Sequence, residues 1–318
     1  MVGISGLRLG LGWSLPVVML CGGAVHAQED GAQSTFLAEW GFGHERTQAP
    51  TVILQKEPPY AIAGPDKTLS ARVGRLMATG SYHWPQSSGT QWSASWQLVT
   101  QQTSAQNALG YAVAGGDLRS VWLLDGASLG VGLAQQDMWS QGQRFRRSVS
   151  VDADWTKAKA GAGFWSLNAS LGTYRHPAEL KELDSQFVSV GFVRRWLSPV
   201  AGLDSADLDV GWGAEHNIRA IDGLSNRRHH VRLATERKWG AWTAYGGVSR
   251  QSTRYQAGLE AGESPRKDAF TFVNFGLMRD LGDHWSLRLA TTSTANRANL
   301  PLYLQHSRGW SMSWVYSP

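Results

Sequence analysis

The sequence has one cysteine, no long apolar run and little charge, and each shortage excludes a class of protein. The cysteine is Cys21, near the start of a chain of 318 residues. Beyond it there can be no disulfide framework, no thiolate nucleophile and no cysteine-ligated zinc. The longest apolar stretch, about 15 residues at the extreme N-terminus, falls short of the ~20 that a spanning helix needs, so a helical membrane protein is excluded. Charged residues make up 17% of the chain, against ~25% in ordinary soluble domains. Thirty Lys+Arg against 25 Asp+Glu give a mild +5. The basic residues are scattered along the sequence, so nucleic acid is not implied. Helix-period segments, internal repeats and a linker to a second domain are also missing. His44, His83, His176, His216 and His284 show no HExxH or other ligand spacing, and there is no Gly-rich phosphate loop. No metal and no cofactor are therefore expected.

What the chain does have is 36 Gly, 16 Trp and many apolar residues that never cluster. So many aromatics exclude disorder. Arg8 begins a signal-peptide pattern, followed by the weakly polar stretch from Leu9 to Ala24. Val25-His26-Ala27 then places small residues at −3 and −1 of a cleavage site. The expected division is a signal peptide over 1–27, which contains Cys21, and one domain over 28–318. A lipoprotein would instead need Cys21 as its first mature residue behind a small one, and Leu20 is not small.

Period-2 alternation runs through the rest. Phe36, Ala38, Trp40 and Phe42 share one parity, and so do Trp92, Ala94, Trp96 and Leu98. Phe145, Val149, Val151 and Trp155 alternate with Arg144, Arg146, Ser148, Ser150, Asp152 and Asp154. Leu208, Val210 and Trp212 alternate with Asp207 and Asp209, and Val231 and Leu233 with Arg228, His230, Arg232 and Glu236. Segments of ~10 residues with one apolar and one polar face are strands. Short turns near 85–89, 125–126, 156–160, 238–240 and 281–283 alternate with longer polar connections at 45–70, 175–183, 219–226, 252–266 and 295–306. Short turns at one end and long loops at the other is the asymmetry of an outer-membrane barrel.

A soluble sandwich would have strands of ~5–6 residues. These runs are nearer the ~9–11 of a tilted membrane-crossing strand, and in lipid such a sheet must close on itself. Trp84, Trp155, Trp196, Trp239 and Trp285 stand at strand ends, where aromatic girdles form. The expected fold is all-β: a closed antiparallel transmembrane β-barrel of about fourteen strands (12–16) in the cell outer membrane. Merging weak candidates around 112–137 would give twelve.

The last segment carries the most specific pattern. In Gly309-Trp310-Ser311-Met312-Ser313-Trp314-Val315-Tyr316, Trp310, Met312, Trp314 and Tyr316 share one face. This resembles the C-terminal strand by which the barrel assembly machinery reads Gram-negative outer-membrane proteins. Ser311 stands where glycine is usual, and Ser317-Pro318 extend past the terminal aromatic. More narrowly, Phe270–Asp280, the 281–283 turn, His284–Thr294 and Asn299-Leu300-Pro301-Leu302-Tyr303 resemble the ends of barrels that follow tetratricopeptide repeats. Those barrels serve exopolysaccharide export or surface-lipoprotein delivery. The resemblance implies a periplasmic scaffold as partner, because this chain has no such repeats.

By parity the lumen-facing set holds Glu39, Arg75, Arg144, Arg146, Asp152, Asp154, Asp207, Asp209, Glu215, Arg228, Arg232, Glu236 and Arg288, with Tyr245 as a single inward ring. Two readings stay open: ion pairs that stiffen the wall, or a mixed-charge constriction that filters a hydrated solute. Neither sign dominates. Residues 45–70, with Pro50, Pro58, Pro59 and Pro65, form the best candidate for an infolded constriction loop. Ser225-Asn226 with His229 and His230, and His306-Ser307, are the candidates for a lipid-hydrolysing site, and polar strand-end residues are the plainer account. The expected function is a channel without covalent chemistry: polysaccharide export first, then solute passage, with lipoprotein delivery or lipid hydrolysis as alternatives. Outer-membrane lipids, lipopolysaccharide and the assembly machinery are the expected partners.

Overall fold

A computed structural model describes residues 33–56, 59–85, 89–104, 110–140, 142–258 and 263–318. The expected signal peptide lies outside them. The described residues form fourteen strands: β1 (Gln33–Lys56), β2 (Pro59–His83), β3 (Thr90–Thr103), β4 (Tyr111–Leu124), β5 (Ala127–Ser140), β6 (Gln143–Lys159) and β7 (Gly163–Arg175). These are followed by β8 (Ser185–Leu197), β9 (Ser205–Asn217), β10 (Asn226–Trp239), β11 (Trp242–Tyr255), β12 (Lys267–Asp280), β13 (Trp285–Ala298) and β14 (Gln305–Tyr316). Each strand pairs antiparallel with its neighbour in sequence, and β1 pairs with β14, so the sheet is a closed barrel. At ~4.8 Å between strands and a tilt of ~40°, fourteen strands close to a backbone radius of roughly 14 Å. The stretch around 112–137 is two full strands, β4 and β5, paired from Tyr111↔Ser140 to Leu124↔Ala127. Between them Gly126 takes the left-handed conformation (φ 68°) that closes the short turn.

Closure leaves no sheet edge, and alternation then sorts every side chain. The outer face carries Phe42, Trp96, Leu133, Leu171, Val190, Leu233, Phe275 and Trp310, all large, apolar and exposed. At the turn end this belt is bordered by paired rings: Tyr82 with Trp84 at 5.0 Å, Trp155 with Trp165 at 4.6 Å, and Trp285 with Tyr316 at 4.8 Å. An amphipathic ring is favoured at such a border, which explains why the sequence places tryptophans at strand ends.

One expectation is corrected. Residues 45–56 and 59–70 continue the β1–β2 ladder, from Glu45↔Ala71 through Gln48↔Thr68 to Lys56↔Pro59, with one register shift between Pro50 and Val52. Pro50 and Pro59 take places in this ladder, opposite Asp66 and Lys56. Three connections hold short 3-10 turns that period counting does not reveal, over Ala178–Leu183, Asp222–Leu224 and Pro301–Tyr303.

Candidate functional site

The inner face is polar, and its charges are organised by strand register. Near the turn end the Glu39 carboxylate accepts from Arg288 Nη1 and from the Ser313 hydroxyl, both at 2.6 Å, tying β1 to β13 and β14. Arg288 also lies over the Tyr245 ring, 5.2 Å from its centroid. Arg195 grips Asp207 through two hydrogen bonds of 2.6 and 2.8 Å, the bidentate geometry favoured by guanidinium and carboxylate. Arg119 pairs with Asp154 across β5. Further along, His230 meets Asp209 at 3.1 Å and Arg75 reaches Glu45 at 3.8 Å.

Glycines make room for these long side chains to lie along the wall. A Cβ on Gly213 would come within 2.9 Å of Arg228 Nε, and one on Gly130 within 2.5 Å of Arg119 and 2.7 Å of Asp154. A Cβ on Gly211 would strike the His230 ring, and one on Gly276 the Tyr245 ring. Gly211 and Gly213 thus create room in the lumen, as their spacing of two suggests.

At the loop end the lumen widens into a cavity of about 410 Å³, lined among others by Phe145, Arg146, Tyr174, Arg228, Arg232, Tyr255, Arg266 and Tyr303. Arginines cover the ring faces here. Arg146 lies 4.4 Å from the Tyr174 centroid, and Arg266 lies 3.5 Å from that of Tyr303 and 4.7 Å from that of Tyr255. The other face of Tyr174 stacks on Phe187 at 4.5 Å. Arg228 donates to the Tyr174 side chain, while Arg232 makes no ion pair among the described residues. The acids of the cavity are engaged: Glu215 accepts from Ser185 at 2.6 Å, Asp209 meets His230, and Asp268 accepts from Arg266 Nε at 3.0 Å. Burial works against the Arg266 charge, but Asp268 more than offsets it and holds the guanidinium above its usual value.

His176 closes one side of this mouth. Its side chain is 6% exposed and packs on Phe145 with ring centroids 5.6 Å apart. Burial, aided by the charge of Arg146, pushes its pKa down; contact with Asp184 opposes the shift. Asp184 accepts from the His176 backbone N–H at 2.7 Å and pairs with Arg175 at 3.3 Å. Burial pulls the Asp184 pKa upward, yet these donors win and hold it low.

No protein-family model matches the sequence, and no curated protein does either. Solved structures do match. An anion-selective porin from Comamonas acidovorans superposes with a TM-score of 0.50 at 6% identity, over 91% of this chain and 100% of its own. OccAB3 of Acinetobacter baumannii gives 0.46 at 7% identity over 90% and 100%. The outer-membrane protein OprD from Pseudomonas aeruginosa gives 0.45 at 10% identity over 91% and 94%. The chain has the fold of an outer-membrane porin.

Within this porin-like barrel the register shows where the residues selected by parity stand. Arg75, Arg146, Asp154, Asp207, Asp209, Arg228 and Arg288 meet other lumen groups as described, and Arg232 lines the loop-end cavity. Asp152 accepts from Ser150 at 2.9 Å, and Glu236 shares the inward parity of Arg232 on β10. Arg144 stands elsewhere. Met138 pairs with Arg146 and Trp139 with Arg144, so a bulge inserts Phe145 between them. The bulge turns Phe145 into the mouth and sets Arg144 on the face of Trp139, reversing the parity count for both. Arg119, Arg195, Tyr174, Arg266 and Tyr303 escaped the sequence reading. Alternation offered a handle on Arg119 and Arg195, whereas Arg266 and Tyr303 lie in connections where parity has no meaning.

The hydrolase candidates are not assembled. The Ser225 hydroxyl is fully buried and accepts from the Asn217 backbone N–H at 3.0 Å. His230 is five residues further along, about 16 Å at strand rise. His229 and His230 point to opposite faces of β10. On β14, Ser307 points inward to Glu45 at 2.7 Å, which leaves His306 on the other face. Trp310, Met312, Trp314 and Tyr316 all stand on the outer face, and their strand forms the closing seam with β1.

Proposed function

We propose that this barrel is an outer-membrane channel for small hydrated solutes, with a weak preference for anions set at its loop-end mouth. The observation that carries the reading is the lumen itself. Its charged side chains lie along the wall, held by ion pairs and glycine-made recesses, inside a closed barrel whose outer face is apolar. A hydrated solute meets alternating charges with their partners already in place. Such a surface lowers the cost of shedding water without holding an ion tightly. The porin fold and the aromatic border support the outer-membrane location.

The anion preference rests on the mouth, where the acids are engaged while Arg146, Arg228 and Arg232 face the cavity with no carboxylate at ion-pair distance among the described residues. The porin from Comamonas acidovorans is named anion-selective; at 6% identity it supports the fold, and the preference is argued from these arginines alone. Polysaccharide export draws no support from the structures compared. A sugar chain needs open ring faces in series, and here Tyr174, Tyr255 and Tyr303 are covered by guanidinium groups. Passage of a folded lipoprotein is excluded by a lumen of roughly 14 Å backbone radius before side chains are counted.

Planar-bilayer recording of the refolded barrel tests the reading. Stable open steps are expected, with a reversal potential in a potassium chloride gradient that favours chloride by less than about tenfold. Replacing both Arg228 and Arg232 by Glu is expected to turn the preference toward potassium. A barrel that inserts and stays shut, or a permeability ratio unmoved by the double replacement, would sink the proposal.

A further inference from the structure

The outer face holds a second organised set of charges, unrelated to the lumen. Above the apolar belt at the loop end, Arg46, Arg72, Arg227, Arg250, Arg254, Lys267, Arg297 and Arg308 are all exposed. Each shares its strand parity with an exposed apolar residue: Arg46 with Phe42, Arg72 with Leu76, Arg227 with Val231, Arg250 and Arg254 with Val248, Lys267 with Phe275, Arg297 with Leu289, and Arg308 with Trp310. By parity all eight point away from the lumen, although Arg250 also contributes to the lining of the loop-end cavity.

The register brings them together. Arg227 stands directly opposite Arg254, and Arg254 opposite Lys267, so three cations form a row across β10, β11 and β12. Arg297 on β13 pairs with Ala269, two residues from Lys267. Arg308 on β14 stands opposite Arg46 on β1, and Arg72 on β2 opposite His44. Like charges directly opposite on one face of a sheet destabilise it. Here they occur in the β10–β11, β11–β12 and β14–β1 pairs, and none of the eight forms an ion pair with a carboxylate among the described residues. At the loop end of β9 to β14 and of β1 the outward positions include no Asp or Glu. The first acid is Asp66 of β2, which is bonded to Gln48 at 3.0 Å.

We infer that this arc is a docking surface for the phosphate groups of lipopolysaccharide in the outer leaflet. The inference rests on the outer-membrane reading above. Lipopolysaccharide matches both halves of the surface. Its acyl chains cover the apolar belt around Trp310 and Phe275, and its phosphates reach the cationic arc one to four alternate residues above. Guanidinium groups bind phosphate through paired N–H donors, and a ligand of several negative charges relieves the repulsion between facing cations.

The test uses the purified barrel in detergent, with diphosphorylated lipid A as probe and the midpoint of heat-induced unfolding as readout. Diphosphorylated lipid A is expected to raise the midpoint in a salt-sensitive manner, with affinity at least tenfold above that for the same lipid stripped of phosphate or for phosphatidylglycerol. Replacing Arg46, Arg227, Arg254, Lys267 and Arg308 by Gln is expected to remove at least a tenfold share of that affinity while bilayer conductance stays as it was. Equal binding of phosphorylated and stripped lipid by the unaltered barrel, equal binding of phosphatidylglycerol, or full affinity in the variant overturns the inference. A wild-type barrel that conducts and shows no phosphate preference refutes the docking surface alone. One that never folds in detergent or inserts refutes the membrane reading as well.

Discussion

At the scale of single residues, the lumen works through pairs in which one member has no side chain. Tyr245 lies flat against β12 because position 276 is glycine, and Arg288 rests over that ring while bonded to Glu39. Gly276→Ala puts a methyl group where the ring now lies. The ring must swing into the lumen, and Arg288 loses its support. Overpacking of this kind costs about 1–3 kcal/mol. The expected outcome is a lower denaturant midpoint for the refolded barrel together with a smaller single-channel step. A variant with unchanged conductance would show that Tyr245 does not border the conducting path. The same pairing explains why glycine is plentiful in a chain whose strands it would otherwise weaken.

At the scale of elements, the connection after β7 is poised against acid. Burial and the charge of Arg146 push His176, packed on Phe145, toward its neutral form, while Asp184 and Glu215 oppose the shift. A histidine whose pKa is lowered by folding binds its proton more readily in the open form. The closed form is therefore fully favoured above about pH 6.5, the ordinary histidine value, and loses ground as pH falls through it. Asp184, held low by the His176 N–H and Arg175, contributes in the same direction, its share being lost only as pH falls below the ordinary carboxylate range. Residues 176–184 are therefore expected to become more sensitive to protease between pH 7 and pH 5. His176→Gln should flatten that dependence and leave only the loss at lower pH. Equal cleavage rates at pH 7 and pH 5 in the unaltered protein would refute the assignment.

At the scale of the whole molecule, the C-terminal strand has two tasks. Trp310, Met312, Trp314 and Tyr316 form the pattern that resembles an assembly signal. The same rings line the outer side of the β1–β14 seam, where Phe42 meets Trp314 at 6.2 Å and Trp310 at 6.4 Å, and Phe36 meets Tyr316 at 6.4 Å. The two tasks separate experimentally. Replacing Trp314 and Tyr316 by Ala removes aromatic area that each side chain contributes to the seam, so the midpoint of unfolding should fall. If the strand is also read in the cell, the amount of barrel in the outer membrane should fall much further than that loss of stability accounts for, while refolding from urea into detergent micelles still succeeds. Proportional losses in both assays would reduce the strand to a structural role.

Period 2 along segments of this length marked the strands, put their number at about fourteen within a range of 12–16, and separated the apolar from the polar face of most of them, because alternation is enforced along every strand of a sheet that closes between an apolar and a polar phase. The seam was legible too, in the alternating end from Gly309 to Tyr316. Other features needed the tertiary structure. A single bulge between Trp139 and Arg146 exchanged the faces of Arg144 and Phe145, since one extra residue reverses parity beyond it. The proline-bearing stretches 45–56 and 59–70 became ladder because each found its partner already in register. Arg266, Tyr303 and His176 entered the mouth from connections, where sequence spacing says nothing about direction. The pairing of Arg46 with Arg308, 262 positions apart, exists only because the first strand closes against the last. Local periodicity is written residue by residue; which charges become neighbours depends on how strands from distant parts of the chain align.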